Sequence, residues 1–201
     1  MSPGYDSTPV DPEDATAFVD GVSFDTKLQV YEAEANAISA VQVEFMSAIG
    51  EGEITAFDLA RNGVLESLHE NCYSPIWKWA GKIRTREVTI GVPPPPRADP
   101  GATAAEVGNI GFWVERDEMD PAWVAMTAHH RLVRVHPFVD GNGRITRLFA
   151  DLLLFSLTLR YTFDWQPALE SHRYFEGLRE ADLSLDVGML LGTVGLIDLE
   201  D

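Results

Sequence analysis

Within twelve residues, His136 to Arg147, the chain places an imidazole, a carboxylate, a glycine-flanked amide and two arginines: HPFVDGNGRITR. Each of these groups has a definite use. A neutral imidazole, with an ordinary pKa near 6.5, can accept a proton from a hydroxyl attacking phosphorus, and His136 is the candidate. Asp140 is the candidate ligand for Mg²⁺, an ion that takes one or two carboxylates and completes its shell with phosphate oxygens and water. An aspartate here would serve equally as a helix cap or dipole partner. Gly141, Asn142 and Gly143 form a nest in which backbone N–H groups approach a phosphate closely, with the Asn142 amide as a further donor. Arg144 and Arg147, three apart, project from one helical face, and planar guanidinium groups match phosphate oxygens. Phe138 packs the turn. Together they predict a polyphosphate site with a base and a metal ligand beside it.

The elements that position these groups can be read from periodicity. The apolar run LFADLLLFSLTL follows Arg147 directly. It predicts a buried central helix over residues 144–160, apolar on several faces. Asp120-Pro121 is an N-cap followed by a first-turn proline, opening a helix that must end near Val135, because Pro137 disfavours helical geometry at His136. Leu28, Tyr31, Ala35, Ile38, Val41 and Phe45 recur at helical steps, so residues 24–49 form a helix that Gly50 and Gly52 stop. Thr55 caps a second helix. Further helices are expected over 74–81, 102–115 and 170–181. Ile83, Val88 and Ile90 alternate with polar residues, which predicts a small β-hairpin or flap over 83–92, ended by Gly91 and four prolines. Residues 1–22 are rich in Pro, Asp, Ser and Thr and read as a tail or extended arm; residues 23–201 read as one all-α globular domain.

Composition narrows the function classes. With 45% hydrophobic residues, five Trp and ten Phe, the chain is globular, and 201 residues suit one domain. Fifteen Lys plus Arg stand against thirty-two Asp plus Glu, a net charge of −17. Such a field repels phosphate backbones and argues against direct nucleic-acid binding. Any nucleotide must be held locally, by the arginines of the central stretch. The sequence shows no apolar segment able to span a bilayer and no secretory signal, and its one cysteine, Cys72, cannot form an internal disulfide. These features predict a cytoplasmic protein. His129, His130 and His136 invite a zinc reading, but adjacent helical residues diverge by about 100° and no HExxH or cysteine pair accompanies them. His129 or His130 is the better candidate for a core residue.

The central stretch resembles the active-site motif of the Fic family, HxFx(D/E)GNGRxxR, with every fixed position filled: His136, Phe138, Asp140, Gly141, Asn142, Gly143, Arg144 and Arg147. The segment WAGKIRT followed by VTIG is similar to the one leading into the flap of these proteins, and RYFEGLREAD is similar to their later helix. The N-terminal TPVDPED and EAEANAI resemble a subgroup labelled mobile mystery protein B. The resemblance implies the Fic fold, a helical bundle around a central buried helix with a β-hairpin flap. It implies transfer of AMP from ATP to a Ser, Thr or Tyr hydroxyl of a target protein, with His136 as general base. Val88, Thr89 and Ile90 would then clamp the target by strand addition. Another phosphoryl-type transfer on the same fold, or a non-catalytic nucleotide-binding module, stays open beside it. Fic proteins are often restrained by a helix bearing (S/T)xxxE(G/N), whose glutamate pairs with the second motif arginine. Ser47 and Glu51 fit its letters. If no internal glutamate serves, an antitoxin-like partner, suggested by the subgroup to be a small DNA-binding neighbour, is the alternative.

Overall fold

The computed structural model describes residues 8–85, 99–116 and 118–200. Among these the chain forms ten helices and two strands: α1 (Pro12–Ala17), α2 (Lys27–Gly50), α3 (Ala56–Leu59), α4 (Val64–Tyr73), α5 (Pro100–Val114), α6 (Pro121–Val135), α7 (Asn142–Thr158), β1 (Tyr161–Asp164), α8 (Trp165–Leu169), α9 (His172–Ser184), α10 (Gly188–Leu191) and β2 (Gly195–Asp198). The α7 helix is the hub. Ten of its seventeen residues are buried, and α2, α3, α4, α6 and β1 all pack on it. That is the consequence of a run apolar on several faces: a helix with no polar side must be surrounded.

The helix ends follow from their capping chemistry. Thr26 and Gln29 form a capping box at the head of α2, and Thr55 and Asp58 form another at α3. Asp120 accepts the Trp123 N–H at 2.8 Å, with Pro121 in the first turn of α6. The α6 helix stops at Val135, and His136 takes the left-handed conformation at φ 52° and ψ 58°. Proline at 137 closes the right-handed region to residue 136, so the helix ends through an αL residue that is not glycine. Leu159 and Leu185 end two other helices in the same way, so the αL residue is here a means of helix termination.

Residues 8–26 lie along the body as an arm. Phe18 is buried against Phe24 and Trp77, its backbone bridging to Trp77. Lys27 and Lys78, two of the chain's three lysines, pair with Asp11 and Asp20 of the arm at 2.6 and 2.9 Å. This docking explains one departure from expectation. Residues 74–81 form turns instead of the expected short helix, because Val19 N–H donates to the Ile76 carbonyl and Lys78 N–H to the Ala17 carbonyl (both 2.9 Å). Pairing with the arm supersedes the local helical preference.

The C-terminal region departs too. The central helix ends at Thr158, with Leu159 in αL, and β1 pairs antiparallel with β2 in the register Tyr161↔Asp198 to Asp164↔Gly195. These four-residue strands, thirty-odd residues apart, are too short to stand out as an alternating pattern. Of the expected flap, Val88, Thr89 and Ile90 lie outside the described residues. No helix among the described residues is long and apolar enough to cross a membrane.

Candidate active site

The loop from His136 to Gly141 joins α6 to α7 and is braced from four directions. Asn142 closes it from within: its Oδ1 accepts the Phe138 N–H at 2.8 Å and its Nδ2 donates to the Phe138 carbonyl at 2.9 Å. This corrects the sequence reading of Asn142 as a side-chain phosphate donor. Its side chain is buried and bound to the loop, and its backbone N–H is what it can offer an anion.

His69 of α4 braces the loop from below. Its ring stacks on Phe138 with centroids 3.7 Å apart. Gly81 N–H donates to Nδ1 (2.9 Å), so Nε2 carries the proton and donates to the Asp140 carbonyl (3.2 Å). Burial pushes the His69 pKa down to about 4, which keeps the ring neutral as this bonding requires. On the other side, buried Arg84 donates from Nε to the His136 carbonyl (2.6 Å), and its backbone N–H bonds the Pro137 carbonyl (2.8 Å). Below Gly141 lies the ring of Tyr73.

Gly141 has φ +75°, and a Cβ there would fall 2.7 Å from the ring carbon and hydroxyl of buried Tyr73. Glycine is therefore required twice, for the backbone and for the contact. The Gly141→Ala protein is expected to lose about 1–2 kcal/mol from the backbone alone, and more from displacing Tyr73. Thermal unfolding checks this; an unchanged melting temperature would refute it.

The catalytic candidates sit on this frame. His136 is half-buried, and its Nδ1 lies 3.3 Å from the Val133 carbonyl. A carbonyl only accepts, so Nδ1 bears the proton and Nε2 presents its lone pair. Burial, with help from the Arg84 charge, lowers the His136 pKa below its ordinary value. At neutral pH the ring is a free base of fixed tautomer. Beside it, the N–H groups of Asn142, Gly143 and Arg144 head α7 with no intrahelical acceptor, at the positive end of a seventeen-residue dipole.

Arg147 folds back along this head. Its Nη1 would lie 3.4 Å from a Cβ on Gly143, so a small residue at 143 leaves room for the guanidinium beside the helix start. Arg144 has different surroundings. Its Nη1 pairs with buried Glu34 of α2, its Nη2 lies 3.6 Å from Asp140, and its guanidinium lies 5.4 Å from the Tyr73 ring centroid. Glu34 also accepts the Trp77 indole N–H at 2.8 Å. Between α2 and α7 an open cavity of about 570 Å³ is lined by Tyr31, Ser39 and Gln42 on one wall and Arg144, Arg147 and Asp151 on the other.

Asp140 presents a largely exposed carboxylate; one oxygen accepts the Gly141 N–H at 2.6 Å and the other faces Arg144. No group of three or more His, Cys, Asp or Glu able to hold a metal occurs among the described residues. One carboxylate next to an anion nest fits Mg²⁺, which would draw its other ligands from phosphate and water. It does not fit zinc, which requires three or four protein ligands. His129 bonds Thr146 and Tyr174, and His130 bonds Asp182.

Ser47 and Glu51 do not reach the motif arginines. The Ser47 hydroxyl donates to Glu51 Oε1 (3.1 Å) at the exposed C-terminal end of α2, and Glu51 caps that end. The glutamate of α2 that does meet a motif arginine is Glu34, which lies 51 − 34 = 17 residues earlier, about 26 Å along the helix. The letters fit, but the helix runs past the site and delivers its middle, not its end. Glu34, Tyr73, Arg84 and His69 were missed from the sequence. Only the Pro137 and αL geometry of His136 had a local signal.

The class is a mostly helical domain whose buried central helix begins directly after a loop bearing a neutral imidazole, an arrangement able to hold a polyanion beside a base. Residues 59–154 match the model of the Fic/DOC family. It is 40% identical over 78 residues to the protein adenylyltransferase fic-1 of Caenorhabditis briggsae, covering 37% of this chain and 15% of that one. It is 31% identical over 105 residues to the protein adenylyltransferase Fic of Drosophila yakuba, covering 51% and 20%. The chain thus spans about a fifth or less of the length of these curated relatives. Among solved structures, BepC of Bartonella tribocorum with bound AMPPNP aligns with TM-score 0.56 at 16% identity, covering 91% of this chain and 96% of that one. Fic-1 of Caenorhabditis elegans aligns with TM-score 0.57 at 22% identity, covering 87% and 49%. Both share the fold.

Proposed function

We propose that this protein is an adenylyltransferase that moves AMP from ATP to a hydroxyl side chain of a target protein. The observation that carries the reading is His136: its Nδ1 faces the Val133 carbonyl, which leaves Nε2 as the basic nitrogen, and the loop that bears it leads straight into the N-terminus of α7, where no side chain caps the first N–H groups. The printed names of the relatives, protein adenylyltransferases matched over 78 and 105 residues, support the same activity.

The step balances simply. The target hydroxyl oxygen attacks the α-phosphorus of ATP, the bond to the bridging oxygen breaks, and pyrophosphate leaves. The hydroxyl proton passes to His136 Nε2. The N–H groups of Asn142 and Gly143 take the charge that develops on the α-phosphate, and Arg144 and Arg147 hold the β- and γ-phosphates. Asp140 would hold Mg²⁺, which supplies charge neutralisation on the phosphates. The chain's own contribution is position and electrostatics. The segment Val88, Thr89, Ile90 remains, on its sequence, the candidate that orients the target chain by strand addition. An antitoxin-like neighbour and a cytoplasmic location belong to the same reading, as does the mobile mystery protein B subgroup, on the strength of TPVDPED and EAEANAI.

The test is label transfer with Mg²⁺ and ATP, in lysate and with the purified protein alone. Protein-bound label from α-labelled but not γ-labelled ATP is expected. Label from γ-labelled ATP would identify a phosphoryl transfer instead, and nucleotide binding without any label would identify a binding module.

A further inference from the structure

Each polar group of His136 other than Nε2 is engaged. Its N–H donates to the Leu132 carbonyl at 3.2 Å, its Nδ1 faces the Val133 carbonyl at 3.3 Å, and its own carbonyl accepts from Arg84 Nε at 2.6 Å. The first two bonds close the end of α6 on itself. The third reaches the residue from elsewhere in the chain, 52 residues away. Proline at 137 makes that bond matter. The peptide joining 136 to 137 has no N–H, so its carbonyl is the one handle by which it can be held. The next carbonyl, that of Pro137, accepts the Arg84 backbone N–H at 2.8 Å. One residue thus grips two successive peptide groups, by its side chain and by its main chain.

The same guanidinium bears on the protonation of the ring. Burial disfavours the imidazolium, and the Arg84 charge adds to that effect. The Val133 carbonyl and the Asp140 carboxylate act the opposite way. So does the C-terminal end of the fifteen-residue α6, which His136 caps. Arg84 is 3% exposed, so its charge is little screened by solvent, and a guanidinium stays protonated at any working pH.

We infer that Arg84 is a positioning residue for His136: its Nε and its backbone N–H fix the peptide groups on either side of Pro137, and so hold the imidazole where α6 hands over to the loop. The inference rests on the reading of His136 as the general base. Arginine suits the place because one side chain supplies both an aimed N–H donor and a permanent charge. Other side chains separate the two. Glutamine carries an N–H donor on the same three-carbon stem, without the charge. Lysine keeps the charge but puts a methylene where Nε stood. Methionine keeps the length and loses both.

The test uses Arg84→Gln, Arg84→Lys and Arg84→Met in the full chain, each checked for folding by its melting curve. In nucleotide-free protein the imidazole ¹⁵N resonances of His136 are assigned by their loss in His136→Ala. They should show the single Nδ1–H tautomer in the wild type and in Arg84→Gln, and tautomer averaging in Arg84→Lys and Arg84→Met. The midpoint of the ring's titration should rise in Arg84→Gln and Arg84→Met and stay near the wild type in Arg84→Lys. With α-labelled ATP, Arg84→Lys and Arg84→Met should turn over about tenfold more slowly at an unchanged KM for ATP, and Arg84→Gln should lose less. A purely structural role would lower stability and turnover in all three alike without moving tautomer or titration, and that result overturns the inference. So does a single tautomer in folded Arg84→Lys. The contrast between Arg84→Gln and Arg84→Lys is enough for the test should Arg84→Met fail to fold. If the ring responds as expected but His136→Ala transfers label at the full rate, the reading of His136 as a base fails while its positioning by Arg84 stands.

Discussion

Replacing His136 by alanine is expected to lower AMP transfer by roughly 10²–10⁴-fold while leaving ATP affinity nearly unchanged. In the proposed reaction the imidazole meets the attacking hydroxyl and not the phosphates, so its loss should appear in turnover. The pH dependence has a definite sign. His136 acts as a base only when neutral, and burial places its pKa below the ordinary value near 6.5. Activity should therefore hold as pH falls from 8 to about 6.5 and decline only at lower pH, as the ring takes up a proton. An acidic limb centred above 6.5, or full activity in His136→Ala, would remove His136 from the chemistry. Because the side chain is half-buried and its cap is made by the backbone, folding of the variant should be little affected, and a melting curve separates the two effects.

The second large effect is on stability. Glu34→Ala removes the carboxylate that Arg144 and the Trp77 indole share. Breaking a buried ion pair from one side typically costs about 3–5 kcal/mol, because the remaining charge loses its partner. The Arg144 side chain is 30% exposed, so water can recover part of this. A loss of about 2–3 kcal/mol is expected, or roughly 5–10 °C in melting temperature for a chain of this size. Glu34→Gln, which can keep the bond to Trp77, should lose less. A Glu34→Ala protein that melts with the wild type would show that the pair contributes nothing net. The pair also joins α2 to the head of α7, so its loss should loosen the wall of the cavity between them, seen as faster amide exchange along α2.

Much of the site was legible in twelve residues for a reason of geometry. A turn, the first N–H groups of a helix and two arginines at i and i+3 are set by local backbone, and spacing along the chain is then spacing in space. The central helix was legible because a run apolar on several faces can only be buried. The Ser47 and Glu51 reading failed on the same ground. Spacing within a helix says which residues share a face, but not which part of a 24-residue helix crosses the site.

The sequence by itself therefore determined where α6 ends, where the helix after the glycine-flanked turn begins, and that this helix is buried. Tertiary structure decided the partners of the side chains they carry. Glu34 meets Arg144 across 110 residues, His69 meets Asp140 across 71, and Tyr174 meets His129 across 45. None of these pairs has a periodicity to betray it, since each depends on how α2 and α4 pack on α7 and how α9 packs on α6. Whether a given His, Tyr or Glu is a surface group, a brace or a clamp is decided by desolvation and by the one partner left within reach, and both exist only once the helices have met.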